Sequence, residues 1–309
     1  MRPSECAPQG NRCTPPLRDN TGSSPSVAPH HTIRVSPSTV YRTAPHILYE
    51  DTVYFAPAGH LDKYNSGMCG RYVSPDQAAI ERAFHLSKRS SGALFERRCN
   101  VFPTATVPLL RYSSALEEVQ LDAARWGLVP HWWKQDALPD RTNHIARLEE
   151  APSKPMWRDA WSRARCLIPA EGWYEWQVVE RTDPVTGEVK QAKQPHFVRR
   201  VDGRLFCFAG LRSYWNHPRT GERLLSCAIL TTAAAGSLAQ IHERAPLVLQ
   251  ESSYASWLDR NLTDPAKVRA IIDAPAAPDE FTHYKVRLLV NNAKAEGPEL
   301  IEPLANEMA

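Results

Sequence analysis

The sequence predicts a mixed α+β fold, a strand-rich body flanked by a few short helices. Two observations predict it. From residue 100 to about residue 250 the apolar residues come in short runs bounded by Gly, Pro, Asn and Asp, which is the pattern of strands. Beside that stretch stand segments with helical spacing and helical start signals. With 309 residues, 42% hydrophobic and 23% charged, the chain can bury such a core in one large or two small domains.

Residues 1–67 are crowded with Pro, Ser, Thr and Asn and hold no sustained period of 2 or 3.6. This stretch is expected not to fold alone. Order is expected over 68–304, with a short tail at 305–309. Ser74-Pro75-Asp76-Gln77 reads as a capping box with proline at the first helical position. Ile80, Ala83 and Phe84 follow at helical spacing, which predicts a helix over 75–85. Short strands are predicted at Val107–Arg111 and Cys166–Ile168. Phe197–Val201 and Arg204–Phe208 flank Asp202-Gly203, a dipeptide that favours a tight hairpin turn. Late in the chain Glu251–Leu258 reads as helical, and Asp264-Pro265 starts a second helix carrying Val268, Ile271 and Ile272. No internal repeat is visible.

Composition excludes several classes. A net charge of +3 is too small for bulk attraction to nucleic acid, so such binding would need clustered charge. No apolar run approaches the roughly 20 residues of a membrane span, and the opening Met1-Arg2-Pro3-Ser4-Glu5 lacks the apolar stretch of a signal peptide. A cytoplasmic protein is expected. The seven cysteines are odd in number and scattered, with no Cys-x-x-Cys and no histidine pair at zinc spacing. They point to neither a disulfide framework nor a metal site, and most are expected to be small buried hydrophobes.

The chemistry starts at Met68-Cys69-Gly70-Arg71-Tyr72. A cysteine directly after a methionine that can initiate translation becomes an N-terminal residue with a free amine beside its thiol. The amine (pKa about 8) condenses with an aldehyde, and the thiol (pKa about 8.5) then closes a five-membered thiazolidine. A cysteine inside a chain cannot do this. An open-chain abasic deoxyribose presents such an aldehyde. Alone, Met-Cys-Gly is an ordinary small residue before a turn glycine.

The company it keeps is more specific. Asn100-Val101-Phe102-Pro103-Thr104, Arg125-Trp126-Gly127-Leu128-Val129-Pro130-His131-Trp132-Trp133, Ala146-Arg147-Leu148-Glu149, Glu171-Gly172-Trp173-Tyr174-Glu175-Trp176, Ile241-His242-Glu243-Arg244-Ala245-Pro246 and Gly297-Pro298-Glu299-Leu300-Ile301 follow it. With these motifs the chain resembles the SOS response-associated peptidase (SRAP) family from Met68 to about Leu304. The resemblance implies a β-barrel-like core of mostly antiparallel strands with flanking helices. It also implies an abasic-site sensor that caps the lesion in single-stranded DNA as a covalent protein crosslink, nucleoid-associated in use, with no metal, organic cofactor or membrane.

The resemblance makes Cys69 the nucleophile, Glu175 the acid or base serving condensation and ring closure, and His242 a partner beside them. In a strand, Trp173 shares the face of Glu175, so an apolar neighbour is expected to raise the carboxyl pKa. Asn143 is a candidate for catalysis or for orienting the substrate. The DNA-facing set is expected to be Arg71, Asn100, Trp132, Trp133, Arg147 and Arg244, within a wider scatter that includes Arg98 and Arg125. Trp126 fits the core better, and the pair Trp132-Trp133 looks like the family's strand-splaying wedge.

Two departures stand out. As written, the Cys69 nitrogen is locked in a peptide bond, so translation from Met68, cleavage before Cys69, or an inactive chain are the alternatives; the composition of 1–67 favours the first. The family also has an asparagine directly before Ala-Arg, where this chain has Ile145; Asn143 by a local shift, or His144, are the candidate replacements. Two other readings stay open. One is a peptidase that uses Cys69, Glu175 and His242 on its own chain, and the other a noncovalent single-stranded DNA module.

Overall fold

The computed structural model describes residues 69–86, 95–140, 142–183 and 186–305. The stretch expected not to fold alone, 1–67, and residues 306–309 of the tail lie outside the described residues. In chain order the strands are β1 (Arg71–Ser74), β2 (Arg98–Val101), β3 (Thr106–Ser113), β4 (Glu118–Trp126), β5 (Ile145–Arg147), β6 (Arg165–Ala170), β7 (Gly172–Thr182), β8 (Val189–Arg200), β9 (Phe206–Asn216), β10 (Arg223–Ala233), β11 (Arg244–Pro246) and β12 (Phe281–Lys285). The helices are α1 (Gln77–Ala83), α2 (Arg158–Arg163), α3 (Tyr254–Leu258) and α4 (Pro265–Ile272). The fold is mixed α+β, as the sequence predicts.

Among the described residues the strands form two sheets. The first is antiparallel throughout, in the order β12-β8-β7-β1-β2. In the second, β4, β3, β6 and β9 pair in turn and β10 joins both ends, so five strands close into a barrel-like ring. Most pairs are antiparallel, but β10 runs parallel to β4 and then to β5. Past the end of the β9 pairing, β11 takes over the other side of β10, so Thr231 lies between Arg147 and Pro246.

Two apolar layers hold these sheets. Tyr72, Trp173, Val198 and Phe281 of the first sheet meet Leu109, Trp126, Ile168, Phe208 and Ile229 of the second. The other face of the second sheet, with Leu110, Leu121, Leu167 and Leu230, packs on Trp161 of α2, Trp257 of α3 and Val268 of α4. Trp161 and Trp257 meet edge to face at 5.9 Å between ring centroids. Arg165, 4% exposed at the start of β6, donates to the carbonyls of Trp161, Ser162, Trp257, Asp259 and Leu262, tying the chain around α2 to that after α3.

Most local expectations hold. Asp264 accepts from the amides of Ala266 and Lys267, with Pro265 in the first turn of α4. The described cysteines Cys69, Cys99, Cys166, Cys207 and Cys227 are buried and free. Two expectations need correcting. Ser74 does not cap α1: it ends β1, and Asp76 caps instead, accepting from Ala79 at 2.7 Å. Pro75 precedes that cap. Asp202-Gly203 turns the chain, with Gly203 at φ 70°, but makes no hairpin. β8 already has β7 and β12 as neighbours, so β9 crosses to the other sheet, between β6 and β10.

Candidate functional site

Cys69 stands just before β1, with φ at 51°, a conformation disfavoured for a residue with a side chain. The turn aims its polar atoms at β7, where Tyr72 is the register partner of Trp173 and Arg71 that of Tyr174. Glu175 is the next residue along β7. One carboxylate oxygen receives both polar groups of Cys69: the backbone nitrogen donates to Glu175 Oε2 at 3.2 Å and Sγ donates to the same atom at 3.1 Å.

Burial dominates the electrostatics. Cys69 is 3% and Glu175 5% exposed. Desolvation holds the Cys69 thiol well above its usual range, the nearby Glu175 charge adds to this, and Arg244 opposes it. Burial also raises the Glu175 carboxyl, opposed by the Cys69 hydrogen bonds and by His242. The pair therefore favours a protonated thiol beside a carboxyl that readily holds a proton. The sequence expectation that apolar surroundings lift Glu175 agrees with this direction.

His242 reaches the site from the short segment between the 3-10 turn Gly236–Gln240 and β11. It is half-buried, and its Nδ1 accepts from the Arg244 backbone nitrogen at 3.0 Å, which leaves Nε2 to carry the proton of the neutral ring. Arg244 is held by a two-pronged bond to Glu149, at 2.8 and 2.9 Å, and by the Thr231 carbonyl at 2.6 Å. That bond draws the Glu149 carboxyl below its usual range.

The other expected residues divide by exposure. Arg147, at the end of β5, is exposed, and Trp132 is 41% exposed. Trp133 is partly covered, with Nε1 bound to the Ala137 carbonyl at 2.8 Å. Arg71 and Asn100 are buried instead. Arg71 donates to Asn100 Oδ1 at 2.8 Å and to the Asn291 carbonyl at 3.2 Å, and Asn100 Nδ2 donates to the carbonyls of Asn292 and Ala295. This network fastens the 291–295 segment over β1 and β2. Of the scattered arginines, Arg125 folds back on the Gly127 carbonyl, while Trp126 lies in the core.

Asn143 is not joined to Cys69, Glu175 or His242 by any hydrogen bond among the described residues. It sits at φ 44°, and its backbone carbonyl accepts from the Leu128 amide at 3.1 Å. His144 turns into the core, edge-on to Trp126 and 2.6 Å from Thr142 Oγ1, and burial lowers its pKa to about 4. Sequence reasoning gave no part to Glu149, although it lies two residues past Arg147 in a quoted motif. It also missed Gln177 and His196, whose proximity depends on strand register. No helix among the described residues is long and apolar enough to cross a membrane.

Known proteins resemble this chain over most of its length. The abasic site processing protein YoqW of Bacillus subtilis is 33% identical over 237 residues, 76% of this chain and 99% of that protein. The abasic site processing protein YedK of Escherichia coli is 30% identical over 248 residues, 77% of this chain and all of that protein. A crystal structure of a Bacteroides thetaiotaomicron protein, 20% identical, superposes with a TM-score of 0.60 over 76% of this chain and all of that one. The family of SOS response associated peptidases (SRAP) matches residues 68–293, and this chain belongs to it.

Proposed function

We propose that this protein processes abasic sites in single-stranded DNA by bonding the exposed aldehyde to Cys69 as a thiazolidine, with Cys69 at the mature N-terminus. The observation that carries this reading is the single oxygen Glu175 Oε2, within hydrogen-bond reach of both the nitrogen and the sulfur of Cys69.

The chemistry needs that arrangement. The amine adds to the aldehyde carbon, and the resulting hydroxyl leaves as water when it is protonated, which a carboxyl with a raised pKa can supply. Sulfur then attacks the carbon of the C=N bond. A C–S bond forms, the π electrons go to nitrogen, and the thiol proton must end on that nitrogen. Glu175 Oε2 touches donor and acceptor alike and can pass the proton between them. His242, with Nδ1 occupied by the Arg244 amide, has Nε2 left to donate to a sugar oxygen or to return a proton when the adduct reverses. In this reading Arg147, Trp132 and Trp133 meet the strand directly, Arg244 serves from its clamp on Glu149, and Arg71 and Asn100 act by fixing β1. The names of the relatives supply the substrate class. The reading requires that nothing precede Cys69, through initiation at Met68 with methionine removal or through cleavage.

Intact-mass measurement of protein made from the full reading frame tests it, before and after incubation with single-stranded DNA containing one abasic site. The expected result is a mass beginning at Cys69 and a denaturant-resistant adduct absent from Cys69→Ala. Retention of the preceding residues without an adduct would refute the reading. Salt-sensitive binding that survives Cys69→Ala would replace it with a noncovalent module.

A further inference from the structure

The face of the five-stranded sheet that carries Glu175 continues beyond it as a row of polar side chains. His196, 4% exposed on β8, is the register partner of Glu175, so both project to the same side. Its Nε2 lies 3.2 Å from Gln177 Oε1, and its Nδ1 lies 3.3 Å from Nδ1 of His283 on β12. Lys285 is its register partner on β12. At the other end of the row, Gln177 Nε2 donates to the Gln240 carbonyl at 3.0 Å. Gln240 ends the 3-10 turn that leads, two residues on, to His242.

One backbone group orders the whole row. The Gln240 carbonyl can only accept, so the Gln177 amide nitrogen must face it and Gln177 Oε1 must face His196. His196 therefore donates from Nε2, which in the neutral ring makes its Nδ1 the acceptor. With both rings neutral, His283 then donates from Nδ1. Three contacts thus link β12 to the segment carrying His242.

We infer that Gln177, His196 and His283 form a positioning relay that fixes the His242 segment relative to Glu175. His242 and Glu175 arrive on different sheets, His242 beside β11 and Glu175 on β7. Their relative placement thus depends on ties between the sheets, and Gln177, two residues from Glu175 on the same face of β7, supplies one. The inference rests on the capping reading above.

The test is single-turnover crosslinking to abasic single-stranded DNA, comparing the protein with Gln177→Met, which keeps side-chain length but neither hydrogen bond, in wild-type and His242→Ala backgrounds. His196→Phe, which frees Gln177 Oε1 and leaves the bond to Gln240, serves as the second variant. Gln177→Met should lower the maximal rate constant about five-fold, the scale of one net hydrogen bond, at unchanged half-saturating DNA concentration. In the His242→Ala background the drop should shrink to less than about two-fold, because both changes act through one group. His196→Phe should show the same background dependence. A wild-type protein that forms no crosslink refutes the capping reading and the relay with it. A wild-type protein that crosslinks, with Gln177→Met unchanged or slowed equally in both backgrounds, refutes the relay alone.

Discussion

Replacing Glu175 by glutamine separates the chemistry of this site from its stability. The amide has nearly the shape of the carboxylate, and its oxygen can still accept from the Cys69 nitrogen and sulfur, now at 3.2 and 3.1 Å from Glu175 Oε2. What it cannot do is take a proton from sulfur and return it to nitrogen. Positioned acid–base catalysis is worth about 100- to 10,000-fold. On the proposed chemistry, Glu175→Gln should therefore slow thiazolidine formation by at least about 100-fold, a barrier increase of about 2.7 kcal/mol.

Stability should move the other way. The folded pKa of Glu175 is raised by burial, so the unfolded chain ionises first as pH rises. Stability from this residue is fully present below the unfolded carboxylate range and is lost as pH climbs through the folded value. Glutamine carries no such penalty, so the melting temperature of Glu175→Gln should equal or exceed that of wild type at neutral pH, and the difference should vanish at low pH. Rapid-quench crosslinking and thermal melts between pH 4 and pH 8, on the order of the carboxylate range and above it, read both effects. A variant that loses melting temperature along with activity would mean that Glu175 is a structural tie; one that crosslinks at the wild-type rate would remove it from the chemistry.

Two further outcomes follow from neighbouring features. Arg165→Lys leaves an ammonium with three donors where a guanidinium serves five carbonyls, so urea unfolding should show a loss of about 2–4 kcal/mol with no direct change at Cys69. Trp132→Ala, at a 41% exposed position, should weaken binding to single-stranded DNA by about 1–3 kcal/mol in a fluorescence titration while leaving the melting temperature within about a degree.

Much of the local structure was legible because its causes are local. Asp264 and Pro265 announce α4 through the donors they satisfy and the φ they preset, and the two-residue period places Trp173 and Glu175 on one face of β7. Misreadings arose where a local signal met a distant partner. Asp202-Gly203 has the turn chemistry of a hairpin, but both edges of β8 are filled by strands that the turn cannot specify. The burial of Arg71, one of the arginines expected to face DNA, was not legible either, because it depends on Asn100 and on the 291–295 segment, more than 190 residues from Asn100. The Glu175–His196 pairing was likewise hidden, since β-register cannot be read from either strand alone.

The separation of 106 residues between Cys69 and Glu175 bears on the order of events during synthesis. β1 pairs with β7 and β2, so the nascent β1 has no completed sheet to join until β7 has left the ribosome. During that interval the burial that β7 gives Cys69 is not yet in place. Once β7 docks, Cys69 is only 3% exposed. If cleavage is the route that exposes Cys69 in the proposed reading, it competes with folding, and a chain that folds first with residues still preceding Cys69 would carry a formed pocket with its nitrogen blocked. On that route, slowing elongation between β1 and β7 should raise the fraction of molecules that begin at Cys69.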